Sequence, residues 1–136
     1  MPVRVELLDD AVADLAKLAE GGKLKLFFRK LVEIEQKGLG AGEPLGRDLV
    51  GWRKVTVGNR SWRIVFRVDR EEEVATVCVI GDREDGVCYE EAKRRADRAQ
   101  DNDAASLAES MMTLFGSRKE RKAAQKRRAE SARTKS

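Results

Sequence analysis

The sequence contains no histidine, and only two cysteines, two prolines and one tyrosine occur among its 136 residues. Histidine is the side chain that most often moves protons near neutral pH. Acid–base chemistry must therefore use carboxylates, Tyr89, or an arginine or lysine whose proton affinity is shifted by its surroundings. Cys78 and Cys88 have neither a second cysteine pair nor a histidine to complete a zinc site, so we expect no metal and no cofactor.

Long apolar stretches are also missing. Residues 1–8 contain no run long enough for a signal peptide, and no segment approaches the roughly 20 apolar residues that span a bilayer. We therefore expect a cytoplasmic protein that does not associate with a membrane. A chain of this length has room for one compact domain and some spare chain, and such a domain needs no disulfide to build its core.

Charge is distributed unevenly along the chain. Residues 1–96 contain 18 basic and 18 acidic side chains, so the whole excess behind the formal net charge of +4 falls in residues 97–136. Residues 117–136 alone carry nine basic and two acidic residues. Such a block is either a solvated, poorly ordered end or an electrostatic arm for phosphates.

The apolar pattern predicts an α+β fold. Residues 2–8 alternate with a period of two, as in a half-buried strand, and two apolar stripes at helical spacing follow, each ended by glycines. After a glycine-rich loop at residues 38–48, three strands are predicted for residues 49–57, 61–69 and 73–81, joined by short turns that make them antiparallel. A helix over residues 89–99 completes a β-α-α-β-β-β-α order, in which a two-helix hairpin packs on an antiparallel sheet.

Beyond residue 96 the pattern predicts an extension. A further helix over residues 104–115 places four apolar side chains on one side, Leu107, Met111, Leu114 and Phe115. We divide the chain into a domain at residues 1–96, an amphipathic helical extension at 97–116 and a basic tail at 117–136 that is a candidate for disorder.

Strand alternation sorts the side chains of the central hairpin onto two faces. One face is apolar and must pack on the helices: Val55, Val57, Trp62, Ile64, Phe66 and Val68. The other, which we expect to be the open face of the sheet, carries Lys54, Thr56, Arg63 and Arg67. Basic groups there could gather an anionic backbone, although arginines on a solvated sheet face are commonplace. Trp52 and Trp62 could stack on bases, but a large aromatic residue in a strand is more often core.

Several segments resemble the RelE branch of the RelE/ParE family of bacterial toxins. They are residues 54–56 (KVT), 61–66 (SWRIVF), 81–84 (GDRE) and 89–94 (YEEAKR), and the similarity covers about residues 2–96. The resemblance implies a RelE-like fold and a type II toxin that acts as a ribosome-dependent, metal-independent endoribonuclease on messenger RNA. It also implies that the partners are a cognate antitoxin, the ribosome and messenger RNA.

The resemblance implies a role for each matching residue in a reaction in which a ribose 2′-hydroxyl attacks the adjacent phosphate. Lys54 would supply positive charge near the base, and Arg63 would clamp the scissile phosphate. Arg83 would be the acid, and Tyr89 the base or a stacking partner. Tyrosine ordinarily titrates near about 10, so its use as a base demands cationic neighbours. Further RNA contacts are expected at Thr56, which stands where the family has a second lysine, and at Arg60, Arg67, Lys122 and Arg127.

Two other functions are compatible with the sequence. One is that of the ParE branch, which acts on DNA gyrase without catalysis, and Arg63, Arg83 and Tyr89 favour cleavage because that branch generally lacks this set. The other is an interaction protein held silent by its own extension, which depends on the apolar stripe of residues 107–115. Packing of that stripe onto the domain or onto a dimer mate is a simpler explanation than an antitoxin site.

Overall fold

The computed structural model describes residues 3–18, 23–45, 51–58, 62–82, 84–99 and 103–115. In these ranges the strands are β1 (Arg4–Leu8), β2 (Glu43–Pro44), β3 (Trp52–Val57), β4 (Trp62–Asp69), β5 (Val74–Gly81) and β6 (Ala104–Ser106). The helices are α1 (Asp9–Leu18), α2 (Leu24–Lys37), α3 (Asp85–Arg98) and α4 (Leu107–Phe115). The predicted α+β class is confirmed, and so is the predicted β-α-α-β-β-β-α order up to α3, except that the short strand β2 lies in the segment predicted as a loop.

The strands form one sheet in the order β2-β3-β4-β5-β1-β6. The β3-β4-β5 meander is antiparallel, as its short turns predicted. The pairing of β1 with β5, however, is parallel, which departs from the predicted all-antiparallel sheet. The rule for short connections does not apply to β1, because two helices separate it from β3 along the chain.

The α1–α2 hairpin covers one face of the sheet, as the amphipathic stripes predicted. The core between these layers contains the buried side chains Val5, Leu7, Leu15, Phe27, Leu31, Ile34, Val57, Ile64, Phe66 and Val77. Trp62 packs at its border, where its ring meets Phe27 edge-on at a centroid distance of 5.7 Å. The apolar face predicted for the central hairpin is therefore the face that forms the main core.

The opposite face of the sheet is not open, which corrects the expectation from the sequence. Helix α3 lies against it and buries a second, smaller cluster that includes Val65, Cys78, Val79, Cys88 and Ala92. The stripe on α3 is narrow and built of small residues in a helix rich in charge, so hydrophobic periodicity did not reveal it. The helix also starts earlier than predicted: it begins at Asp85, four residues before the predicted start at Tyr89.

The extension begins as a strand, because Ala104–Ser106 pairs antiparallel with β1 instead of forming the predicted first turn of a helix. Helix α4 starts at Leu107, where the Ser106 hydroxyl accepts a bond from the Glu109 amide (3.1 Å) and so caps the helix. Leu107 and Leu114 join the main core. The other two members of the predicted stripe, Met111 and Phe115, are partly exposed.

Residues 116–136, which include the predicted basic tail, lie outside the described residues. Among the helices that the structure describes, none combines the length and the apolar character that crossing a membrane requires.

Candidate functional site

The polar side chains of the central hairpin meet on the face that carries α3. In the β3–β4 register, Thr56 lies opposite Arg63 and Trp52 lies opposite Arg67, with Lys54 between them opposite Val65. Opposite residues in an antiparallel pair point to the same side of the sheet. The register therefore places four predicted site residues together, Lys54, Thr56, Arg63 and Arg67.

Lys54 and Arg63 converge on one carboxylate, that of Asp85. Lys54 donates through Nζ to Asp85 Oδ2, and Arg63 donates through Nε to Asp85 Oδ1. The side chains of Lys54 and Arg63 are 15% and 20% exposed, whereas that of Asp85 is 39% exposed. Two largely buried cations from neighbouring strands thus donate to a single, partly exposed carboxylate.

The position of Asp85 explains its charge state. It is the first residue of α3, where negative side chains interact favourably with the helix dipole. The hydrogen bond from Lys54, reinforced by that from Arg63, lowers the pKa of the Asp85 carboxyl although partial burial opposes this. The carboxylate is therefore ionised at neutral pH, and it neutralises one of the two positive charges.

Tyr89 lies one helical turn after Asp85 and so faces the same side of α3. Its ring contacts Trp52 at a centroid distance of 5.5 Å and an interplanar angle of 89°. The Arg67 guanidinium lies 5.9 Å from the centroid of the same tryptophan ring. The Tyr89 ring is thus held by a packed aromatic residue, on the same side of α3 as Asp85.

A groove runs from Lys54 toward helix α2. Its volume is about 330 Å³, and Lys54 and Thr56 line its sheet side. Lys30, Glu33 and Lys37 line its helix side, where Glu33 pairs with Lys30 (3.3 Å) and with Lys37 (3.9 Å). Three lysines line this groove, two from α2 and Lys54 from β3.

A second polar cluster holds α3 in place. Arg95 donates to Asp14 Oδ2 (2.7 Å), to Glu91 Oε1 (2.9 Å) and to the carbonyl oxygen of Cys78 (2.9 Å). Asp14 also accepts the backbone amide of Ile80 (3.0 Å). Burial is the largest single influence on Arg95 and would lower its pKa, but the hydrogen bonds and charges of Asp14 and Glu91 together outweigh it and raise the pKa. This cluster ties α1, β5 and the second half of α3 together.

The structure brings together part of the predicted site. Lys54, Thr56, Arg63, Arg67 and Tyr89 lie on one side of the molecule, on β3, β4 and α3. The remaining predicted site residues lie outside the described residues: Arg60, Arg83, Lys122 and Arg127.

Sequence reasoning missed Asp85. The predicted helix began at Tyr89, which left Asp85 in a loop. Acidic residues are common in the first turn of a helix, so Glu84 and Asp85 were a signal for an earlier start. Among the residues that the structure describes, no three histidine, cysteine or acidic side chains are grouped so that they could hold a metal ion.

Comparison with known proteins agrees with this architecture. Residues 5–86 match the family model described as the ParE toxin of the type II toxin–antitoxin system parDE. The RelBE2 toxin–antitoxin complex of Mycobacterium tuberculosis is similar in structure, with a TM-score of 0.52 and 25% identity over 61% of this chain and 100% of that chain. A mutant of the E. coli toxin RelE in the free state is similar too, with a TM-score of 0.58 and 24% identity over 70% of this chain and 98% of that chain.

The curated proteins give no significant match. Fold and family model together define the class, a toxin of a type II toxin–antitoxin system. Within that class the chain belongs to the ParE toxin family, whose model covers more than half of its length. The resemblance seen in the sequence and the RelE-like fold that it implied are both confirmed.

Proposed function

We propose that this toxin is a ribosome-dependent endoribonuclease that cuts messenger RNA in the cytoplasm and so arrests translation until its antitoxin binds. One observation carries the proposal. Lys54 and Arg63, from neighbouring strands, converge on a single anionic group, one helical turn from Tyr89. Two charge-assisted donors that point at one position form a site of the size and charge of one phosphodiester.

The chemistry needs three contributions. Arg63 binds the scissile phosphate, because a guanidinium donates in a planar fork to two phosphate oxygens, and Lys54 adds a second positive charge to the phosphorane. Tyr89 takes the proton from the attacking 2′-hydroxyl or stacks on a base. Arg83 donates a proton to the departing 5′ oxygen. Cleavage then leaves a cyclic phosphate and a free 5′-hydroxyl.

RNA would follow the basic groups that adjoin this centre. Thr56 and the lysine-lined groove lie on one side of Lys54, and Arg67 lies on the other, beside Trp52. Arg60 would extend this contact. The basic segment at residues 117–136, with Lys122 and Arg127, would add a salt-dependent arm outside the toxin domain of residues 1–96 and the extension of residues 97–116.

A second candidate function is the non-catalytic inhibition of DNA gyrase. The observation that favours it is the family model itself, which describes a ParE toxin. The cationic pair and the phenol would then serve only protein contacts. Loss of the phenolic hydroxyl would leave such an activity intact.

The test is induced expression with mapping of messenger RNA 5′ ends. The native chain should create new ends within minutes, whereas Arg83→Ala and Tyr89→Phe should create few or none. Arg98→Ala, which removes an arginine at the far end of α3, is the matched control and should cut like the native chain. Growth arrest without new ends, together with gyrase–DNA cleavage complexes in purified components, would replace this proposal with the gyrase function.

A further inference from the structure

We propose that Asp85 is a carboxylate gate, which occupies the phosphate-binding cations in the resting toxin and must be displaced when RNA binds. The inference rests on the proposed function, because it assigns Lys54 and Arg63 to the phosphate. It gives the site a built-in competitor, whose strength sets how tightly the toxin holds a phosphodiester.

The contacts of Asp85 resemble those of a bound phosphate. The two carboxylate oxygens of Asp85 each accept one hydrogen bond, from Lys54 and Arg63 respectively. Two oxygens on one atom that each accept a charged donor reproduce what the non-bridging oxygens of a phosphodiester would do at this position. A phosphate and the Asp85 carboxylate therefore compete for the same donors. The two anions would also repel each other if both stood beside Lys54 and Arg63.

Exposure shows which partner can move. Asp85 is the most exposed member of the triad, at 39%, while the two cations are held at 15% and 20%. It also stands at the first residue of α3, in the turn that has the fewest internal hydrogen bonds to lose. The next residue, Gly86, has no atoms within 4 Å of the position that a Cβ would take, so there is space around this turn. The carboxylate can leave while the rest of α3 stays anchored through Arg95.

The test is equilibrium binding of a single-stranded RNA in which every ribose is 2′-O-methylated, so that it cannot be cut. Asp85→Asn keeps the shape of the side chain and removes its charge. It should bind this RNA at least about tenfold more tightly than the native chain, since it removes a like charge from the phosphate position. Its salt dependence should also be steeper, by about 0.7 in log–log slope for each phosphate newly neutralised.

A matched control is Asp10→Asn. Asp10 pairs with Arg98 (3.9 Å) at the last residue of α3, about 20 Å from Asp85 along the 14-residue helix. The Asp10→Asn variant loses the same charge as Asp85→Asn, but its RNA affinity should change less than twofold. Asp85→Glu, which keeps the charge, should stay within about threefold of the native chain if the longer side chain reaches the same donors.

Thermal melting verifies that the variants are folded. If Asp85→Asn melts too early for binding assays, Asp85→Ser removes the same charge and leaves a hydroxyl at the helix start. Folded variants without the charge that bind RNA no more tightly than the native chain would overturn the gate, and Asp85 would then only orient Lys54 and Arg63. Absence of RNA binding in every chain overturns it too, while the mapping of messenger RNA ends decides separately whether the proposed cleavage stands.

Discussion

The rings of Tyr89 and Trp52 meet at right angles, with their centroids 5.5 Å apart. Trp52 is nearly buried against β4 and α3, so the tyrosine ring packs against a fixed partner. A group that transfers a proton must be held within hydrogen-bond reach of its target, and the contact with Trp52 restricts the position of the Tyr89 ring in this way. Because the ring makes this contact and the hydroxyl would serve the proposed reaction, different substitutions of Tyr89 can test the two roles.

Tyr89→Phe keeps the ring contact and should change the free energy of unfolding by less than about 0.5 kcal/mol. Tyr89→Ala removes the contact with Trp52 and should cost about 1–3 kcal/mol. Both variants should lose cleavage by at least about 100-fold if the phenol is the base. Urea denaturation and single-turnover cleavage on programmed ribosomes measure the two effects, and an active Tyr89→Phe would leave Tyr89 only the stacking role.

The ion pairs of Asp85 predict a pH dependence of stability. Its pKa is lowered in the folded chain, mainly by Lys54, whereas an unfolded aspartate titrates near about 4. The stabilisation is therefore fully present above about 4 and is lost as the pH falls through the lower, folded pKa. The stability advantage of the native chain over Asp85→Asn should shrink in denaturation curves recorded below pH ~4. A difference that does not vary with pH would contradict the ionised pairing.

Asp14 should matter for stability far more than its single charge suggests. Asp14→Ala leaves Arg95 nearly buried without its main partner and removes the acceptor of the Ile80 amide, so it should cost about 3–5 kcal/mol. Asp10→Ala breaks only an exposed pair and should cost less than about 1 kcal/mol. Equal costs for both variants in urea titrations would show that the Arg95 cluster does not anchor α3.

Neither cysteine should react in the native protein. Burial raises the pKa of the Cys78 thiol to about 12, with Arg67 and Arg95 opposing part of that rise. At pH ~8 only about one thiol in ten thousand would then be ionised, and thiolate is the reactive form. Cys88 is buried as well. Mass spectrometry after iodoacetamide treatment should find both residues unmodified in buffer and both alkylated in denaturant, and rapid native labelling of Cys78 would contradict its placement.

Helix α4 should contribute to stability through its inward side only. Leu114 is 8% exposed and part of the main core, whereas Met112 on the same helix is 71% exposed. Leu114→Ala should cost about 2–4 kcal/mol. Met112→Ala should stay within about 0.5 kcal/mol. Similar small effects in both variants would mean that α4 does not belong to the cooperative unit.

The faces of the central hairpin were predictable, because alternation along a strand follows from backbone geometry alone. Val57, Ile64 and Phe66 are buried against the α1–α2 hairpin, and Lys54 and Arg63 lie on the opposite side, as expected. Only the consequence drawn for that opposite side was wrong. Helix α3 covers it with small residues such as Ala92, whose pattern is too weak to be read as an apolar stripe.

The pairing of Lys54 and Arg63 with Asp85 could not be read from spacing. These residues are separated by 31 and 22 positions in the chain, and no local rule connects them. The strand at Ala104–Ser106 was missed for a similar reason. Alanines favour a helix locally, and the free edge of β1 overrides that preference by offering hydrogen bonds.

The sequence by itself determined the α+β class, the order of the main elements up to α3, and the pool of carboxylates, arginines, lysines and one tyrosine from which acid–base chemistry must be drawn in a chain without histidine. These properties follow from periodicity and composition, which are local. Tertiary structure alone decided that β1 runs parallel to β5, that α3 lies across the basic face, and that Asp85 meets Lys54 and Arg63. These contacts join residues that are far apart in the chain. They depend on burial and charge pairing between separate elements, which no local pattern describes.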